Sequence, residues 1–358
     1  MVKKILAIGT SLVVATGLFS GCGSSSSSEG ESSKEDLNIM VWDGTWDEQV
    51  FKDFEKETGI HVNVSYIDNT DTIISKLVQG STSYDLVDIE SAYVKSFVDN
   101  DLLCKLNYDN LENTKNMDKQ YGGFVGDEKC EYTIPCVAPL YTCVVYNKET
   151  CPIEIKSFQD LADPKLKNQV CMVNSTISLF GMALESLGYE ADSCNEDEIS
   201  KATDLLMNIK GNVKAFVGES AVSELENGEC SVAFCWDYAT LCNDSKDNWD
   251  KFAIADIDSG SEYSGTYWGI PKATKNQANA EKLMNYMLEP EQYAKSVKSW
   301  GLIPVLAKDS LKEYLGDEFY ENPAIEAFKN LYDSSWKIAV NDEQINIMDT
   351  YYTKLMSK

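Results

Sequence analysis

Residues 37–66 read LNIMVWDGTWDEQVFKDFEKETGIHVNVSY. Leu37 to Trp42 is an apolar run of strand length that stops at the turn Asp43-Gly44-Thr45. From Asp47 to Glu57 the apolar residues fall at Val50, Phe51 and Phe54, the spacing of one helix face, and Gly59 supplies a residue that ends such a helix. Ile60 to Tyr66 then alternates as a strand. Strand–helix–strand units of this size build a parallel sheet with helices on both faces.

The pattern extends outward from this unit. Asp71 to Val78 reads as a second helix and Tyr84 to Ile89 as a short buried strand. Further on, strands are expected at Gln169–Val173, Val213–Phe216, Ser231–Trp236 and Lys251–Ile257. Helices are expected at Ser178–Leu187, Glu198–Ile209, Ala221–Asn227, Gln277–Met287, Glu291–Lys298 and Ile345–Met356. About 320 residues from Leu37 onward are too many for one ordinary core and comfortable for two. Two α/β lobes are the natural partition, joined by extended crossovers at Tyr132–Asn147 and near Tyr263–Pro271.

Before Leu37 the chain carries an address. Met1-Val2-Lys3-Lys4 is a short basic start, and Ile5 to Phe19 is apolar apart from small or hydroxyl residues, so the segment reads as a secretory leader. Leu18-Phe19-Ser20-Gly21-Cys22 resembles a bacterial lipobox, which implies cleavage before Cys22 and a lipid on its sulfur; an ordinary leader that happens to contain a cysteine is the alternative. Residues 23–36 are Ser- and acid-rich with nothing apolar to bury, the composition of a solvated tether. A lipid at Cys22 would hold the body near a bilayer while leaving it free to rotate.

Formal net charge is −27, and losing Lys3 and Lys4 with the leader takes it near −29. Such a balance argues against nucleic acid as a partner and against an electrostatic grip on anionic lipid. All 31 basic residues are lysine, so the planar guanidinium fork that clamps carboxylate or phosphate ligands is missing. Ten cysteines follow Cys22 with no CxxC pair, and several sit in apolar strand runs, such as Cys171 and Cys235. They read as mostly free thiols, with at most one or two bridges among Cys130, Cys136, Cys143 and Cys151.

Four stretches resemble the bacterial spermidine/putrescine-binding proteins of ABC importers. They are Trp42 with residues 54–62 (FEKETGIHV), Tyr84-Asp85-Leu86-Val87 with Tyr93, Ile134-Pro135 leading to Val144–Asn147 and Ser157–Leu161, and Trp268-Gly269-Ile270-Pro271-Lys272 with Lys275-Asn276. The resemblance implies an α/β two-lobed clamshell periplasmic-binding-protein fold of type II, each lobe a mainly parallel sheet flanked by helices. It implies lobe 1 from residues 37–139 and 268–308 and lobe 2 from residues 140–267 and 309–358, after a leader of residues 1–21 and a tether of residues 22–36. The implied role is a monomeric, extracellular, lipid-anchored binding component that delivers a small molecule to ABC permease subunits. No cofactor, metal or catalytic residue is implied.

In that family a cationic ligand is boxed by aromatic rings and gripped by carboxylates between the lobes, because a protonated amine favours both a charged partner and an aromatic face. Trp42 and Trp236 match family aromatic walls, each at the C-terminal end of a strand, where open α/β sheets place ligands. Tyr93 falls one position past a family tyrosine, whose place is taken by Ala92. The family's lobe-2 carboxylates fall on Ser175 and Ser178, and its hinge aspartate on Thr266. Those changes remove anions, for which Asp43, Glu90 and Asp237 are candidate substitutes. The nominated ligand-binding set is therefore Trp42, Asp43, Glu90, Tyr93, Ser175, Ser178, Trp236, Asp237 and Thr266.

Two rivals stay open. The same rings and hydroxyls suit a neutral sugar or a thiamine-like heterocycle. A carboxylate-dependent hydrolase would need two acids placed as a unit, and nothing in the sequence places them so. The single histidine, His61, falls inside an expected strand and reads as structural.

Overall fold

A computed structural model describes residues 36–67, 77, 84–218, 220–236, 238–300 and 303–357. Strands β1 (Asp36–Trp42) and β2 (His61–Ile67) pair in parallel, from Asp36 opposite His61 to Trp42 opposite Ile67. Between them runs α1 (Glu48–Thr58), started by the Asp47 side chain, which accepts the Gln49 N–H, and ended by Gly59 at φ 76°. Its buried residues are Val50, Phe51 and Phe54, the face the spacing predicts. His61 lies in β2 as expected and meets Glu55 through Nδ1 at 2.7 Å. The helix expected at Asp71–Val78 lies outside the described residues, Leu77 apart. β3 (Leu86–Glu90) joins β1 in parallel and leads through a 3-10 turn into α2 (Val94–Asp99).

β4 (Thr133–Asn147) is the first crossover and is 15 residues long. Beyond it come β5 (Val170–Val173), α3 (Thr176–Ser186), α4 (Glu196–Lys210), β6 (Val213–Val217), α5 (Ala221–Glu226) and β7 (Val232–Cys235). Then follow α6 (Tyr238–Asp244), α7 (Asp247–Lys251), β8 (Phe252–Ile254) and the second crossover, β9 (Ser261–Gly269). β8 is shorter than the strand expected over Lys251–Ile257.

The strands run in the order β2-β1-β3-β9-β4-β7-β5-β6, with β8 beside β4 and β10 (Ser335–Trp336) beside β9. β1, β2 and β3 are mutually parallel, and so are β5, β6 and β7; β4 and β9 supply the antiparallel pairs. β4 pairs with β9 from Thr133 to Thr142 and with β7 from Cys143 to Tyr146. Each lobe is thus a mainly parallel sheet, and a two-strand ribbon passes from one to the other. This is the two-lobed α/β fold the sequence implies. The ribbon is bent where its register slips between Pro135 and Val137 and again between Val137 and Leu140. Pro135 brings no N–H to that ladder, so a bulge is an economical place for it.

The C-terminal part adds α8 (Gln277–Met287), α9 (Pro290–Trp300), α10 (Lys308–Leu315), α11 (Pro323–Leu331) and α12 (Asp342–Ser357). Between α11 and α12 the chain makes a third passage along the hinge. Ser335 and Trp336 pair with Ser261 and Glu262 of β9, and the Val340 N–H bonds the Ala92 carbonyl at 3.0 Å. Two glycines admit this passage. A Cβ on Gly260, which sits at φ 68°, would collide with the Ser334 carbonyl, and one on Gly181 would lie 2.8 Å from the Trp336 ring.

One apolar cluster joins α1, α8 and α9 to the β1–β3 sheet and continues beneath β7 through Cys143, Cys171, Ala233 and Cys235. A second, with Val144, Met172, Phe180, Phe234 and Met348, lies on the α3, α4 and α12 side. Neighbouring residues of β4, β5 and β7 thus alternate between the two. Cys104, Cys130, Cys136, Cys151, Cys171, Cys194, Cys230 and Cys242 are free thiols, so no bridge joins Cys130, Cys136, Cys143 and Cys151 to one another. No helix among the described residues is long and apolar enough to cross a membrane.

Candidate functional site

The site is built from strand ends. β1 and β3 stop at Trp42 and Glu90, while β5 and β7 stop just before Ser175 and Trp236. Trp42 is half-buried and its backbone N–H bonds Asp88 Oδ2 at 3.0 Å. Asp43 follows on an exposed turn closed by the Thr45 N–H to the Trp42 carbonyl. Glu90 stands directly opposite Thr266 in the β3–β9 ladder. Next to it, the Gly265 N–H donates to Ser91 Oγ at 3.2 Å, tying the turn after β3 to the hinge strand. Tyr93 is buried in that turn, 8% exposed.

On the lobe-2 side Ser175 caps α3, its Oγ accepting the Ser178 N–H at 3.2 Å. Ser178 is itself buried, and its Oγ accepts the Trp236 indole N–H at 3.4 Å. Ser175, Ser178 and Trp236 therefore come together as one linked group. Glu90 and Thr266 form a second group as a cross-strand pair of β3 and β9, and Trp42 ends the next strand, β1, with its backbone N–H tied to Asp88 of β3. Asp237 and Cys22 lie outside the described residues.

Two carboxyl groups that the sequence reading passed over occupy the base of these groups. Glu262 on β9 is 3% exposed, accepts the Thr142 hydroxyl at 2.6 Å and bonds with Ser178. Burial pushes its carboxyl above the usual range, against the lowering influence of those hydroxyls. Glu262 and Thr266 share one face of β9, about 13 Å apart along the strand. Thus one strand carries a residue of each group.

Asp88 is fully buried in β3. Burial raises its carboxyl to about 7, against the Trp42 N–H and the neighbouring Trp268 indole, which lower it. Oδ1 makes no hydrogen bond among the described residues. For Asp88 the signal was present, since an acid between apolar strand neighbours, Val87-Asp88-Ile89, is seldom placed in a sheet without a partner; Glu262, between Ser261 and Tyr263, gave no such signal.

A polar depression of about 430 Å³ lies at the opposite, C-terminal end of α3, lined by Ser157, Gln159, Glu185, Ser186, Gly188, Asp258 and Ser259. It holds none of the nominated residues and no aromatic ring, so the strand-end groups are the better candidate. No group of three or more His, Cys, Asp or Glu side chains suited to a metal ion occurs among the described residues.

A family model described as bacterial extracellular solute-binding protein matches residues 49–327. The spermidine/putrescine-binding periplasmic protein of Salmonella typhimurium is 26% identical over 339 residues, covering 89% of this chain and 92% of that protein. A solved ABC-transporter structure from Listeria monocytogenes superposes with a TM-score of 0.77 at 25% identity, over 90% of this chain and 99% of that one. The substrate-binding protein PotD of Streptococcus pneumoniae superposes with a TM-score of 0.74 at 21% identity, again over 90% and 99%, which bears on the fold alone.

Proposed function

This chain belongs to the bacterial extracellular solute-binding proteins, and from that premise we propose that it captures a polyamine between its lobes and hands it to an ABC importer. In this reading residues 1–21 are removed, Cys22 carries the lipid, and residues 22–36 are the tether. Lobe 1 comprises 37–139 and 268–308; lobe 2 comprises 140–267 and 309–358.

The observation that carries the ligand class is the pairing of half-buried tryptophans with acids at the strand ends: Trp42 beside Asp43, and Trp236 above Ser178 and Glu262. An alkyldiammonium offers two charges for acids and a methylene chain for ring faces. Glu90, opposite Thr266, supplies an acid at the hinge. The names of the similar proteins point the same way. The ligand binds one lobe first, and closure about β4, β9 and the 335–341 passage desolvates it between Trp42 and Trp236. The closed form is then what the permease subunits engage.

One observation favours a neutral sugar, among the alternatives of a sugar or a thiamine-like heterocycle, as the second reading. Ser175 and Ser178 stand at the N-terminus of α3, where the helix dipole is positive and repels a cation. A thermal-shift and calorimetric panel of spermidine, putrescine, thiamine and sugars separates the two, since a ligand specific to the folded state raises the melting temperature. Stabilisation by spermidine or putrescine that weakens at least tenfold in Glu90→Gln supports the polyamine reading. Stabilisation by a sugar or thiamine with no response to polyamines sinks it.

A further inference from the structure

We propose that Phe124, Tyr263 and Tyr332 form an alkylammonium-binding box on the back of the hinge, filled by the chain's own Lys337 and open to free n-butylammonium when that side chain is removed. The Lys337 ammonium lies 4.9 Å from the Tyr263 ring centroid, 5.4 Å from Tyr332 and 5.5 Å from Phe124. Each distance is within the range at which a cation is held over a ring by its quadrupole. Three rings around one cation make a cage, whereas the other cation–ring contacts among the described residues bring a single ring to each lysine.

The walls are built independently of Lys337. Phe124 and Tyr263 are buried and stacked at 19°, and Tyr332 stands edge-on to Tyr263 at 88°. Tyr141 braces Tyr263 from the neighbouring strand, and Tyr121 braces Tyr332. Lys337 itself is half-buried. No carboxylate pairs with it among the described residues, and desolvation alone acts on its charge, lowering its pKa. The rings therefore do the work that acids do elsewhere.

The box sits on the other face of β9 from Glu262 and Thr266 of the proposed ligand groups. Tyr263 faces opposite to Glu262 and Thr266 on β9, because successive strand residues alternate sides. Its parts come from the loop before β4, from β9 and from the 332–337 passage, so it ties three chain segments together at the hinge. Beyond Cα, a lysine side chain is n-butylammonium, and a box vacated by trimming Lys337 has the shape and chemistry of that cation.

Calorimetry of n-butylammonium chloride against the purified wild-type chain and Lys337→Gly tests the assignment. At least tenfold tighter binding is expected in Lys337→Gly, with no such gain for n-butanol and none once Tyr332→Ala is added. Binding in the cleft would appear equally in both proteins and cancels from the comparison. Equal affinity in the two, or a matching gain with n-butanol, overturns the proposal. Should the glycine variant not fold, Lys337→Met keeps the stem and removes only the charge. Its melting temperature is expected to fall by about 2–4 °C, and no fall overturns the ammonium box.

Discussion

The two faces of β9 solve opposite problems with alternate residues of one strand. Toward α3, Glu262 is an acid held by two hydroxyls, and Thr266 faces Glu90. On the other side Tyr263 and Tyr267 join Phe124, with a lysine cation over the Tyr263 and Phe124 rings and no acid paired to it among the described residues. On one face a buried carboxyl is sustained by hydroxyls; on the other a partly buried ammonium is sustained by π faces. Hydrogen bonds fix direction and leave little room for error, while ring faces tolerate displacement of the cation. The acid face thus suits the proposed recognition, and the ring face suits the proposed closure at the hinge.

The largest expected effect comes from emptying the ring face. Phe124→Ala removes a fully buried ring against Tyr263 and Tyr267 and should cost about 3–5 kcal/mol by denaturant titration. Ligand affinity of the folded fraction should change less than threefold; a large loss would mean that the two faces are not separable.

Asp88 gives the next effect, one that depends on pH. Its carboxyl stands at about 7 in the folded protein against 3.8 for an ordinary aspartate, so folding favours the protonated form. That stabilisation is whole below about pH 4 and is lost as pH rises through about 7, up to about 4 kcal/mol in total. Asp88→Asn should flatten this slope and gain relative to the wild type at pH 8. Unfolding curves from pH 4 to 8 with unchanged slopes in the two proteins would refute it.

Trp42→Ala should weaken ligand binding about 30-fold or more, the loss typical of a central aromatic anchor, with the melting temperature little changed because Trp42 is only half-buried. Unchanged affinity in calorimetry would move the ligand away from the β1 strand end. The smallest effect is expected from Glu262→Gln, which keeps hydrogen-bonding atoms for Thr142 and Ser178 and should cost about 1 kcal/mol or less in stability. A polyamine affinity that drops tenfold in this variant would give Glu262 a direct electrostatic role in the site.

Much of this was legible in the chain. The strand–helix–strand unit of residues 37–66 reappears almost residue for residue, because its apolar spacing, the Asp47 cap and the Gly59 stop are local features. The crossovers were legible too, as extended runs long enough to serve two sheets. The third passage at 335–341 was not, since its pairing with β9 is two residues long and rests on Gly260 and Gly181 making room. Trp42 and Trp236 could be nominated because each ends a strand. Glu262 and Asp88 escaped because a sequence shows an acid but not the hydroxyl or backbone N–H that makes its burial tolerable.

By itself the sequence determined the alternation of strands and helices, the two-lobed partition and the aromatic residues at strand ends. The alternation and the strand-end aromatics depend on spacing within about twenty residues, where periodicity and capping act, while the partition follows from the length of the chain. Only the tertiary structure decided that Glu262 meets Ser178, that Asp88 lies beneath Trp42, and that rings from positions 124, 263 and 332 close around Lys337. Those meetings join residues up to some two hundred positions apart. They arise from which face of β9 each side chain takes once two sheets share a ribbon, and no local pattern carries that information.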